Sequence, residues 1–141
     1  KDGSKKMSKS ETSDLSRINL TDDKDLIVNK IKKAKTDTLP LPSSTNELNK
    51  RLEAKNLLGI YSSLSDLPLE KTIEEFSGKN FSEFKNTLSE LLVNKLDPVS
   101  KEINRLLKEK NYLDEILFDG YKKANEIAAD KLRKIHEIVG F

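Results

Sequence analysis

The 141-residue sequence contains no cysteine and a single histidine. Without thiols there is no disulfide framework and no thiolate metal site, and His136 alone cannot anchor zinc, so no residue is assigned to a metal and no permanent cofactor is expected. No apolar run approaches the length that spans a bilayer, and no leader peptide pattern precedes the first helical segment. The chain therefore reads as soluble and intracellular, with no membrane partner. Strand-like alternation of apolar and polar residues is missing too, which leaves an all-α class. Nor does the chain begin with methionine: it opens on Lys1 inside a polar run, and the expectation is a piece of a longer protein.

Hydrophobic residues make up 35% of the chain and charged residues another 35%, a mixture that suits thin amphipathic helices better than a thick sheet core. The net charge of +2 is spread unevenly, with ten basic and six acidic side chains in residues 1–35 against sixteen and eighteen in the rest. A polyanion partner is thus expected at the front. There, Lys6-Met7-Ser8-Lys9-Ser10 lies in a run from Lys1 to Ser16 with little apolar content beyond Met7 and Leu15. Such a run cannot be core and is expected to be a mobile loop. Two lysines three apart supply flexible point charges. Ser8 and Ser10 can donate to phosphate oxygens, and a turn preceded by Gly3 adds backbone N–H groups, so the loop suits a polyphosphate. A solvated Lys/Ser linker is the alternative reading of the same residue types.

Further on, Thr21 is a candidate N-cap for a helix whose first turn is acidic (Asp22, Asp23, Asp25) and whose apolar face is Leu26, Ile27, Ile31 and Ala34. Lys30, Lys32, Lys33 and Lys35 crowd its last turns, either as complements to the helix dipole or as groups near bound RNA. Pro40 and Pro42 mark a linker. Ser44 and Glu47 have capping-box spacing, yet the strong apolar pattern starts near Leu52, with Gly59 permitting a close helix or backbone contact. A short helix from about Leu69 to Phe76 should end before Gly78. From Phe81 to about Lys110 one amphipathic pattern is interrupted by Pro98, which predicts either a kink near Asn94 or two helices in near continuation. Phe81 and Phe84 are read as core.

The last pattern is the cleanest. Leu113, Leu117, Tyr121, Ala124, Ile127, Ala128, Leu132, Ile135 and Val139 form one stripe over about eight turns. It is expected to be the spine of a bundle, with Gly120, Ala124 and Ala128 letting a neighbour approach. His136, among Arg133, Lys134 and Glu137, reads as a partly exposed helix residue. The predicted architecture is an all-α helical bundle of about five helices behind the N-terminal loop.

The pentapeptide Lys6-Met7-Ser8-Lys9-Ser10 is the signature loop of class I aminoacyl-tRNA synthetases. The stretches Ser16 to Asp23, Lys30 to Asp37, Asn56 to Tyr61, Gly120 to Ala128 and Val139 to Phe141 are similar to the C-terminal part of the bacterial-type tryptophanyl-tRNA synthetase family. The resemblance runs through essentially the whole chain. It implies that residues 1–20 are the signature loop left from a nucleotide-binding catalytic domain, and residues 21–141 a C-terminal helical domain that contacts the tRNA anticodon.

By the same resemblance Lys6 and Lys9 are catalytic, and Lys6, Met7, Ser8, Lys9 and Ser10 bind ATP, which arrives as substrate with Mg²⁺. The parent would be a tryptophan–tRNA ligase with L-tryptophan, ATP and tRNA(Trp) as partners, homodimeric at full length, cytoplasmic or of the mitochondrial matrix. The 141-residue piece alone would be inactive. Basic positions on the last two helices, Lys101, Arg105, Lys108, Lys123, Lys131, Arg133 and Lys134, are the candidate tRNA contacts. The competing reading is a non-catalytic helical module that binds RNA or protein behind a disordered linker.

Overall fold

Asp23, not Thr21, starts the first helix. Its side chain accepts from the Leu26 N–H at 2.8 Å, and α1 runs Lys24–Lys32. The start shifts because Asp22 is turned inward: its Oδ2 accepts the Asn19 backbone N–H at 2.9 Å, so the chain is still coiling where a Thr21 cap would have begun the helix. The computed structural model describes residues 12–140. The expectation of a mobile loop falls outside that range for residues 1–11. At its far end it is corrected, because Asp14–Ser16 form one turn of 3-10 helix.

The remaining helices are α2 (Thr45–Leu48), α3 (Leu52–Ser65), α4 (Leu69–Phe76), α5 (Phe81–Lys108) and α6 (Lys110–Val139), and no strand occurs among the described residues. The Ser44 cap makes α2: Ser44 Oγ accepts the Glu47 N–H at 3.3 Å, while Glu47 reaches one residue past the box geometry and accepts the Ser43 N–H at 3.0 Å. Asp66, in the left-handed region at φ 59°, ends α3. Gly78, at φ 72°, follows α4 and lets its own N–H bond to the Leu41 carbonyl at 3.1 Å. That bond and the reciprocal Leu41 N–H to Lys79 carbonyl pair, at 2.8 Å, fasten the proline-containing linker to the turn after α4.

The chain divides into two compact units, one ending at Lys101 and one beginning at Glu102. The first holds the buried core, built from Ile27 and Ile31 of α1, Leu41 of the linker, Leu57, Leu58 and Tyr61 of α3, Ile73 and Phe76 of α4, and Phe84, Leu88 and Leu92 of α5. Tyr61, Phe76 and Phe84 form its aromatic centre. The Phe76 ring meets each of the other two edge-on at 4.8 Å, a preferred arrangement for aromatic quadrupoles. Phe81 and Phe84 are core, as their spacing implies.

Two polar side chains finish this unit. Lys85 Nζ donates to the carbonyls of Ala34 at 2.6 Å and Lys32 at 3.2 Å, capping α1 from α5. Arg51 forks onto the Asp37 carboxylate and donates to the Pro40 carbonyl at 2.6 Å, holding the linker, with its guanidinium 5.7 Å from the Phe81 ring centre.

The Phe81 pattern runs as one helix through Pro98, which excludes the reading of two helices in near continuation. The proline has no N–H for the Asn94 carbonyl, and one missing bond in a 28-residue helix does not divide it. Gly59 makes no close contact, since a Cβ there would meet nothing within 4 Å, and Gly120 is equally open. Finally, α6 is not a spine: it has no buried residue, and Leu117, Tyr121 and Ile127 of its stripe are 69%, 61% and 71% exposed. His136 lies exposed on α6.

Candidate functional site

Lys6, Met7, Ser8, Lys9 and Ser10, the residues expected from the sequence to bind ATP, lie outside the described residues. What is described is the segment immediately downstream and the way it is held. Its centre is Lys30, which is 3% exposed and whose Nζ stands 2.6 Å from Asp22 Oδ2 and 2.6 Å from Asp14 Oδ2. Asn19 ties the two acids together: its Nδ2 donates to Asp14 Oδ1 at 2.9 Å and to Asp22 Oδ1 at 3.3 Å. Arg17 lies 3.3 Å from Asp14 Oδ1. On the other side, Ser100 Oγ of α5 donates to the Asp22 carbonyl at 3.0 Å. Beside it, Asp97 receives Lys101 at 2.9 Å and Lys24 at 3.4 Å. Residues 14–22 are therefore wrapped around one buried ammonium and fastened to α1 and α5.

The electrostatics agree with the geometry. Burial is the largest single influence on Lys30 and pulls its pKa down, but the hydrogen bonds from Asp14 and Asp22 outweigh it and the net shift is upward. Asp14 is held below the usual carboxylate range, first by its bond to Lys30 and then by Asn19. Lys30 thus stays charged while buried, which a lysine does only when paired.

Lys30 is neither a dipole complement nor an RNA-facing group. The signal was present in the sequence: at 3.6 residues per turn Lys30 falls between Leu26 and Ala34 on the helix wheel, inside the apolar arc of α1. An acid-rich segment just before the helix supplied its partners. By contrast Lys32, Lys33 and Lys35 are exposed, and Lys35 pairs with Glu53 at 3.2 Å.

The candidate tRNA contacts are all surface residues, though not all present free charge. Lys101 is the one in the first unit and is engaged by Asp97. In the second unit Arg105 is gripped by Glu102 at 2.7 Å and Glu109 at 2.6 Å, which holds Glu102 below its ordinary pKa, and Arg133 pairs with Asp130 at 2.7 Å. Lys108, Lys123, Lys131 and Lys134 are exposed. On α6, Lys123, Lys131 and Lys134 fall within about 80° of arc and so form one basic stripe. Near its start, Phe118 and Tyr121 stack at 6.3 Å, with Lys122 Nζ 4.3 Å from the Phe118 ring centre. Among the described residues no group of three or more His, Cys, Asp or Glu is placed to hold a metal ion, and no helix is long and apolar enough to cross a membrane.

Residues 1–97 match the family model described as tRNA synthetases class I (W and Y), and the chain belongs to that family. Among its curated relatives, the tryptophan–tRNA ligase of Agrobacterium fabrum is 52% identical over all 141 residues, that of Rhizobium meliloti 49%, and that of Rickettsia felis 47%. The alignment takes in 100% of this chain but 40%, 40% and 42% of those proteins, so the chain spans about two fifths of their length.

Proposed function

We propose that this chain is the C-terminal part of a tryptophan–tRNA ligase, supplying the ATP-phosphate loop and tRNA-contacting helices to the complete enzyme. The supporting observation is the 52% identity to such a ligase along the entire chain. In this reading residues 1–20 are the loop end of the catalytic domain and residues 21–141 the helical domain that meets the anticodon. In the reaction, the carboxylate oxygen of L-tryptophan attacks the α-phosphorus of ATP, the bond to the bridging oxygen of the β-phosphate breaks, and pyrophosphate leaves. The acyl group of the adenylate then passes to a ribose hydroxyl of tRNA(Trp), releasing AMP.

Lys6 and Lys9 bind the triphosphate, and their contacts tighten as negative charge gathers on the departing pyrophosphate; Met7, Ser8 and Ser10 shape the loop. Mg²⁺ belongs to this scheme as part of the ATP substrate. The exposed stripe of Lys123, Lys131 and Lys134, with Lys108, meets tRNA phosphates, while Lys101, Arg105 and Arg133 must first exchange their carboxylate partners. The complete enzyme acts as a homodimer in a bacterial-type cytoplasm, and the 141-residue piece alone turns nothing over.

The test is amino-acid-dependent exchange of labelled pyrophosphate into ATP by the full-length protein that carries this segment. Exchange driven by L-tryptophan and not by L-tyrosine is expected. Exchange driven by L-tyrosine would place the chain with the other branch of its family. No exchange with either would favour a non-catalytic helical module.

A further inference from the structure

A groove of about 490 Å³ runs between α1 and α5, wholly within the first unit, and the scheme above leaves it without a role. It is lined by Lys24, Val28 and Lys32 from α1 and by Asn86, Val93 and Asn94 from α5. The two helices are antiparallel here, since Lys24 reaches Asp97 at 3.4 Å while Lys85 meets the Lys32 carbonyl at 3.2 Å. Each end of the groove therefore joins a lysine of α1 to an amide of α5: Lys24 with Asn94, and Lys32 with Asn86. All four side chains are exposed, and half-buried Val28 and Val93 floor the middle. Lys24 and Lys32 are eight residues apart, which is about 12 Å along the helix.

Both ends are suited to an anion, because the lysine brings charge and the amide brings two further donors. Lys32 stands on backbone that Lys85 holds from α5. Lys24 can leave Asp97 without stranding that carboxylate, because Lys101 stays on it at 2.9 Å. The middle differs. Glu90 also lines the groove, four residues from each asparagine. A carboxylate there repels a phosphate but accepts from a hydroxyl or an amino group. A matching ligand carries two anionic groups separated by a body with an apolar face and a hydrogen-bond donor. An unpaired ribonucleotide strand has that chemistry: phosphates, and between them a base with an open face and a ribose with its 2′-hydroxyl. A strand rises about 3.4 Å per stacked nucleotide, so one held at both ends lays nucleosides across the valines.

We propose that the α1–α5 groove binds an unpaired stretch of tRNA, with Lys24 and Asn94 on one phosphate, Lys32 and Asn86 on another, and Glu90 accepting from the ribose or base between them. This deepens the tRNA-contacting role given to the helices and rests on it. A duplex does not suit the groove, because its paired bases are not free to lie on the valines.

The test is tRNA(Trp) binding by the full-length enzyme, measured across a range of salt. Lys32→Ala should reduce the slope of log affinity against log salt by about 0.7 and weaken binding about fivefold at 0.1 M salt. Lys71→Ala, which removes an exposed lysine of α4 outside the groove, should bind as the parent does. Glu90→Gln is the sharper variant. On a surface that merely attracts polyanions, loss of a negative charge strengthens binding; at this site, loss of the charged acceptor should weaken it by about threefold or more.

An unchanged salt slope for Lys32→Ala, or tighter binding by Glu90→Gln, would overturn the groove as an RNA site. The two readings separate on the parent. If the parent binds no tRNA even at low salt, the tRNA-contacting reading fails and this inference with it. If the parent binds and the groove variants match it, only the inference fails.

Discussion

Lys85 of α5 donates to the carbonyl of Ala34, just beyond the end of α1, at 2.6 Å, across 51 residues of sequence. The last carbonyls of a helix have no partners of their own, and a cation placed there satisfies them and meets the negative end of the dipole. Burial lowers the Lys85 pKa, so this cap is held in a site that resists charge. Lys85→Met keeps the stem and loses the three bonds to Lys32, Ala34 and Thr36. The expected loss is about 2 kcal/mol in urea unfolding, with an unchanged denaturant slope. A midpoint equal to the parent's would show that water caps α1 as well as Lys85 does.

Asp37 gives the molecule an acid-sensitive clamp. Its hydrogen bonds from Arg51 hold its pKa below the ordinary carboxylate value in the folded state. A group of this kind contributes stability at pH values above its unfolded pKa, and the contribution is lost as pH falls through the folded pKa. The parent should therefore lose more stability than Asp37→Asn between about pH 5 and about pH 3, and the gap between the two should close with acid. Parallel curves across that range would mean that the Arg51 fork adds nothing to folding.

Gly59 is a helix interior glycine facing open space. Gly59→Ala should raise the stability of the 141-residue chain by about 0.5–1 kcal/mol, through helix propensity and a less flexible unfolded state. A loss instead would reveal a close partner at that position in solution.

For tRNA binding by the full-length enzyme, Lys123→Ala and Lys134→Ala should each reduce the slope of log affinity against log salt by about 0.7–0.9. Arg133→Ala should change it less, because Asp130 already engages that guanidinium at 2.7 Å. Equal slopes for all three variants and the parent would remove α6 from the RNA interface.

Short-range features of this fold were legible in the sequence. The Leu52 start of α3, the Leu69–Phe76 span of α4 and the Ser44–Glu47 cap follow from periodicity and local hydrogen bonding, which act over three or four residues. The polar locks were not legible. Ser100 meets the Asp22 carbonyl across 78 residues, and Lys85 meets the end of α1 across about 50, separations for which no residue spacing gives a sign. Lys30 is an intermediate case. Its place inside an apolar arc was visible, but its partners depend on a turn at Asn19 that draws Asp22 inward and so also moves the cap from Thr21 to Asp23. The α6 stripe is apolar yet exposed, because periodicity shows which face is apolar without showing what covers it.

Lys9→Ala in the full-length enzyme decides whether Lys6 and Lys9 act on the triphosphate in the transition state. Removing one preorganised donor to developing charge should slow tryptophan-dependent pyrophosphate exchange by on the order of 10²–10³, about 3–4 kcal/mol, with the tryptophan dissociation constant and helix content unchanged. An exchange rate within about threefold of the parent, or an effect confined to tRNA affinity, would contradict it and make the loop a linker.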